Sequence, residues 1–110
     1  FGLKVFKVEG NSMEECIPDN SFVYLWPFFS FNKKSIYLFK HNIYGIVIKK
    51  LKYEDFNGDL WFEGENYTSI SSIKIGAIKK KQVIGKAFLN ISKLGVKWLW
   101  YNYQLFFKVL

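Results

Sequence analysis

What most constrains this chain is the length and texture of its apolar segments. They are short, rich in β-branched and aromatic residues, and each closes on a polar turn. Ile43-Tyr44-Gly45-Ile46-Val47-Ile48, for example, lies between His41-Asn42 and Lys49-Lys50. Such a texture specifies strands rather than helices. Strands are expected near 3–9, 21–26, 35–40, 43–52, 59–63 and 82–89. Turn signals stand at Gly10-Asn11, Pro18-Asp19-Asn20, His41-Asn42 and Asn57-Gly58-Asp59. Asn57-Gly58, between Leu51-Lys52-Tyr53 and Leu60-Trp61-Phe62, is a hairpin pattern. The expected fold class is all-β, mostly antiparallel, with a short turn of helix at residues 13–17.

With 110 residues, half of them hydrophobic and 21% aromatic, the chain can build a single modest core. Its net charge of +7 is made with lysine alone, since no arginine occurs. Arginine is the usual instrument of bidentate phosphate and guanine contacts, so nucleic acid is not the expected partner. The lysines fit a solvated surface or attraction to an anionic membrane surface. Cys16 and His41 are single residues. An internal disulfide, a cysteine cluster and a multi-histidine zinc site are thereby excluded, and no cofactor or metal is expected. The chain starts at Phe1 rather than Met, so a segment upstream is expected, and no internal run of about 20 apolar residues spans a bilayer.

Residues 1–92 are expected to form the core domain, and residues 93–110 an aromatic terminal segment. That segment holds Trp98, Trp100, Tyr101, Tyr103, Phe106 and Phe107. It reads either as a last core element or as an amphipathic piece at the membrane interface, where Trp and Tyr rings favour the headgroup level. The run from Phe22 to Phe31 likewise reads as a core strand with its loop, or as an apolar edge resting on a bilayer. Asn66-Tyr67-Thr68 and Asn90-Ile91-Ser92 match the glycosylation sequon, a frequent chance match.

Side chains alternate along a strand, so Val47, Lys49 and Leu51 share one face, whereas Lys50 and Lys52 end the other as a charged pair. Parity therefore nominates Lys49 as the inward lysine. Burial disfavours the ammonium form. Bringing any lysine from near 10.4 to neutrality requires roughly 4–5 kcal/mol of differential stabilisation, and yields a base usable at neutral pH. The same position also suits an ordinary lysine snorkelling at a strand end. Ser12, after Gly10-Asn11, suits a turn or helix cap, or a nucleophile facing backbone N–H groups that could hold an oxyanion.

Val8-Glu9-Gly10-Asn11-Ser12-Met13 resembles the G-x-S-M box of type I signal peptidases and the related self-cleaving repressor peptidases. Lys33-Lys34-Ser35-Ile36-Tyr37-Leu38-Phe39-Lys40-His41 is similar to their R-G-D-I-V-V-F-K-H segment. Ile48-Lys49-Lys50-Leu51 resembles the I-K-R-[VA] box, Phe62-Glu63-Gly64-Glu65-Asn66 the G-D-N box, and Val83-Ile84-Gly85-Lys86-Ala87 the I-x-G-[KR]-A strand. Ser69-Ile70-Ser71-Ser72 with Gly76 resembles S-x-D-S-R-x-[WF]-G. These boxes follow the family order over roughly residues 5–89.

The resemblance implies a Ser-Lys dyad, with Ser12 as nucleophile, Lys49 as general base and Ser69 orienting the amine. It places Val8, Met13, Ile17 and Ile48 at shallow apolar pockets for small substrate side chains, and gives His41 no catalytic task. It implies a membrane-associated serine endopeptidase that cleaves signal peptides or exported precursors after small residues. The catalytic domain would lie on the extracytoplasmic side, anchored upstream of Phe1. Departures exist. Glu14-Glu15-Cys16 replaces the family's x-P-T, Ser71 replaces its Asp and Ile73 its Arg, and the stretch between Gly64 and Gly76 is one residue shorter. Alternatives are a self-cleaving repressor-type domain, an inactive relative, or a basic aromatic β-domain binding single-stranded nucleic acid.

Overall fold

The structure, a computed structural model, describes residues 3–10, 17–64 and 72–99. They form strands β1 (Lys4–Lys7), β2 (Phe22–Trp26), β3 (Ile36–His41), β4 (Gly45–Glu54), β5 (Leu60–Glu63), β6 (Val83–Ser92) and β7 (Gly95–Trp98). One helical turn, α1 (Ser72–Ile75), and a 3-10 turn, Lys80–Gln82, separate β5 from β6. Every strand pairing is antiparallel, in the order β1-β2-β6-β3-β4-β5, with β7 also on β6. The expected antiparallel β fold is what the chain adopts.

The most apolar strand explains the architecture. In β3, Ile36, Tyr37, Leu38 and Phe39 are all buried, because both faces of that strand are covered. Ile36 and Leu38 join an apolar cluster with Val8, Ile17, Val23, Leu25, Ala87 and Leu99. Tyr37 and Phe39 join a second cluster with Leu51, Leu60, Phe62, Ile75 and Ile78. Extra residues interrupt the register as β-bulges, Phe88 and Ile84 in β6 and Lys52 in β4, and bend and twist those strands locally. Gly85 of β6 lies so close to β2 that a Cβ there would meet the Leu25 Cβ at 3.0 Å. Only glycine lets the two backbones approach this far.

Boundaries move for local reasons. β4 begins at Gly45 rather than residue 43, because Asn42, Ile43 and Tyr44 are consumed by the turn. His41 dictates that turn. Its Nδ1 accepts the N–H groups of Ile43 and Tyr44, at 3.0 and 3.2 Å. Its Nε2–H donates to the Ile75 carbonyl at 2.8 Å, so the ring is the neutral Nε2–H tautomer. His41 is thus a buried latch between the β3–β4 turn and α1, beyond a simple turn residue.

The β4–β5 connection is longer than a two-residue Asn-Gly turn. Asp55 organises it, accepting the N–H groups of Asn57 and Asp59 and the indole N–H of Trp61. β7 is a further strand inside the aromatic terminal segment, and Leu99 after it is buried in the first cluster. The helical turn expected at 13–17 lies outside the described residues apart from Ile17, as do residues 100–110. Asn66-Tyr67-Thr68 also falls outside them. In the other sequon Asn90 is buried, and its Nδ2 donates to Ser21 Oγ and to the Phe22 carbonyl, which leaves no amide open to a glycan.

Candidate functional site

β4 carries the candidate base. Val47 and Leu51 pack into the second cluster, and Lys49 between them is 3% exposed. Lys52 is exposed and Lys50 half-buried, as the alternation of the strand requires. Burial alone pushes the Lys49 amine below its ordinary pKa, since removal from water penalises the charged form. Among the described residues, this amine has no hydrogen-bond or ion-pair partner. An ammonium in that position has no partner among the described residues, so burial disfavours the charged form.

The neighbouring side chains turn the other way. Ile48 packs against the first cluster, which contains Val8 and Ile17. Three of the residues assigned to shallow substrate pockets therefore meet in one place, joined by Phe6, Val23 and Leu38. Val8 and Ile17 also bracket the segment that carries Ser12 and Met13. The near end of that bracket is tied down: Val8 exchanges backbone hydrogen bonds with Asn20 and Ser21, and Gly10 N–H donates to Asp19 Oδ1 at 2.9 Å. Gly10 has φ of +99°, a conformation other residues rarely adopt, so the chain turns there on a glycine.

Ser12, Met13, Ser69 and Ser71 lie outside the described residues, and with them the distance from Ser12 to Lys49. Ile73, where the family pattern has an arginine, is exposed on α1. Among the described residues, no group of three His, Cys, Asp or Glu side chains could hold a metal ion.

One feature of this face is invisible to sequence inspection. Tyr37 is the antiparallel partner of Lys49 on β4 and of Lys86 on β6. Both lysines thus flank the same buried ring. Burial lowers the Lys86 pKa too. Its Nζ bonds Asn32 Oδ1 at 3.0 Å and lies 5.9 Å from the centre of the Tyr37 ring. The signal that finds it is strand register, which one sequence does not supply.

The site thus consists of an antiparallel sheet with a buried lysine on one of its long strands. The chain belongs to the Peptidase S24-like family, whose model matches residues 2–88. That match covers β1 through most of β6, including the Ser12 segment and Lys49. No curated protein matches the chain significantly.

Proposed function

We propose that this domain is a serine endopeptidase working by a Ser12–Lys49 dyad at a membrane surface, on signal peptides or exported precursors. The observation that carries the chemistry is Lys49: buried, apolar on both sides, and without a partner among the described residues. A neutral amine takes the Ser12 proton as Oγ bonds to the scissile carbonyl carbon. The ammonium then returns that proton to the leaving amine as the C–N bond breaks, and the free amine activates water for deacylation. Ser69 would orient the amine, and the Ser12 backbone N–H would face the oxyanion, since Gly10 brings no hydroxyl there. The cluster around Val8, Ile17 and Ile48, with Met13, would select small side chains.

The S24-like match fits self-cleaving repressor peptidases equally well. The membrane reading is favoured by the outer face of β1, β2, β6 and β7. Its register rows are Val5-Tyr24-Leu89-Trp98 and Lys7-Phe22-Ile91-Val96. Val96 is 64% and Trp98 48% exposed, and Trp26 stands edge-on to both Phe28 and Phe88. These rows contain a lysine and no carboxylate, on a chain of net charge +7, which suits an anionic lipid surface. The test is cleavage in trans of precursor peptides with small residues at the −1 and −3 positions, with and without anionic vesicles. S12A and K49A are expected to abolish turnover. Turnover unchanged in either variant refutes the dyad, and cleavage only in cis, indifferent to vesicles, selects the repressor-type alternative.

A further inference from the structure

The tip of the β4–β5 hairpin carries a reactive pair that the dyad chemistry does not use. Of eight asparagines, Asn57 alone precedes a glycine. Asparagine is a thermolabile side chain, and a following glycine has no Cβ to keep its backbone nitrogen away from the side-chain amide carbon. Asn57 is exposed, and its side-chain amide bonds nothing among the described residues. Two other asparagines show the contrast. Asn20 precedes Ser21, which is fully buried and donates its N–H to the Pro18 carbonyl at 3.3 Å. Asn90 is itself buried and bonded through its amide to Ser21 and Phe22.

The turn around Asn57 is closed but not covered. Asp55 N–H donates to the Asp59 carbonyl at 2.9 Å, and Gly58 N–H donates to the Asp55 carbonyl at 3.0 Å. Gly58 has φ of +79°, the left-handed conformation that ends such a turn. The Asp55 side chain adds a clamp. Its Oδ1 accepts the N–H groups of Asn57 and Asp59 at 2.9 and 3.0 Å, and its Oδ2 accepts the Trp61 indole N–H at 2.9 Å. The Gly58 nitrogen is therefore occupied while the clamp holds, and is released when the turn opens. Its surroundings are open: the nearest atom to a Cβ built on Gly58 is Glu54 Oε2, at 3.9 Å.

We propose that Asn57 is a site of spontaneous covalent modification, converted to aspartate or isoaspartate at a rate set by opening of the Asp55 clamp. The Gly58 nitrogen loses its proton and bonds to the Asn57 side-chain carbonyl carbon. The bond from that carbon to the amide nitrogen breaks, ammonia leaves, and a five-membered succinimide remains. Water then opens the ring. Cleavage of its bond to the side-chain carbon leaves aspartate. Cleavage of its bond to the main-chain carbon leaves isoaspartate, with the chain running through the side-chain carbon. In sum one water is consumed and one ammonia released, with no other reactant. Either product adds a carboxylate beside Asp55 and Asp59 and removes one unit from the net charge of +7. Isoaspartate also lengthens the main chain by a methylene inside a turn closed by two backbone bonds, which unhooks Gly58 from Asp55.

The experiment incubates the whole folded protein at mildly alkaline pH and maps its peptides by mass, with isoaspartyl-specific enzymatic methylation as a second readout. Asn57 is expected to exchange the mass of an NH2 group for that of an OH group, before any other asparagine and faster as pH rises. Conversion should run about three- to tenfold more slowly than in the chain unfolded in urea, the protection that a hydrogen bond or so supplies. D55A, which removes the clamp, should speed it about threefold or more, whereas N57Q should abolish it. The proposal falls if Asn57 keeps its amide in the folded protein after about twenty half-times of the unfolded chain. It falls equally if another asparagine converts first, or if folded D55A converts no faster than wild type. Should D55A fail to fold, W61F, which deletes one donor to the same carboxylate, must accelerate the reaction or the role of the clamp is refuted.

Discussion

Lys49→Met is expected to make the protein more stable and inactive. Methionine matches the lysine stem in length and flexibility, and the site between Val47 and Leu51 is already apolar. What disappears is an amine that burial removes from water. In the unfolded chain this lysine titrates at its ordinary value of 10.5, and folding lowers it. Between the folded and unfolded pKa values the unfolded chain binds more protons, so wild-type stability rises with pH across that window. The slope approaches about 1.4 kcal/mol per pH unit, and K49M lacks it. K49M should therefore exceed wild type by about 1 kcal/mol or more at neutral pH, with the gap closing as pH approaches 10.5. Urea unfolding of both proteins from about pH 6 to about pH 10.5 measures it, the remaining lysines cancelling to first order in the difference. Parallel stability curves, or a variant less stable at neutral pH, would refute the claim that a dry amine is held here at a cost.

Replacing His41 with Ala strands two turn N–H groups and the Ile75 carbonyl, and should destabilise by about 2–3 kcal/mol in chemical denaturation. His41→Asn, which keeps an acceptor near the turn, should recover part of that loss. The Asp55 carboxylate is held below its ordinary pKa, first by the Trp61 indole N–H and then by the Asp59 and Asn57 amides. Its contribution is present above the unfolded value of 3.8 and disappears as pH falls through the folded one. Asp55→Asn should flatten that acid dependence, read as Trp61 fluorescence against pH. Gly85→Ala forces β6 away from Leu25 and should cost about 1–3 kcal/mol, visible as a lower urea midpoint. A neutral result would mean that β2 and β6 approach less closely than described.

How much was legible follows from the range of each cause. Lys49 could be nominated because strand alternation is local: its neighbours Val47 and Leu51 decide its direction. The hairpin at Asn57-Gly58 was legible for the same reason, whereas the Asp55 bond to Trp61 depends on how far the turn folds back. The start of β4 was misplaced because Ile43 and Tyr44 are apolar yet spent in a turn, and only the His41 ring shows why. His41 itself was unreadable, its partner Ile75 lying on another element. Lys86 was matched only as part of a box, because no local pattern reports that β3 separates it from Lys49. β7 was hidden by its composition, as Val96 and Trp98 suit a membrane-facing segment as readily as an edge strand.

The strand clad on both sides has a mechanical consequence. Ile36 and Leu38 look one way, Tyr37 and Phe39 the other, so the two apolar compartments have a common partition. Neither can melt without exposing the wall of its neighbour. Amides of β3 should then exchange with deuterium only through global opening, and the apolar cluster around Val8, Ile17 and Ile48 and the burial of Lys49 should be lost together in one cooperative event.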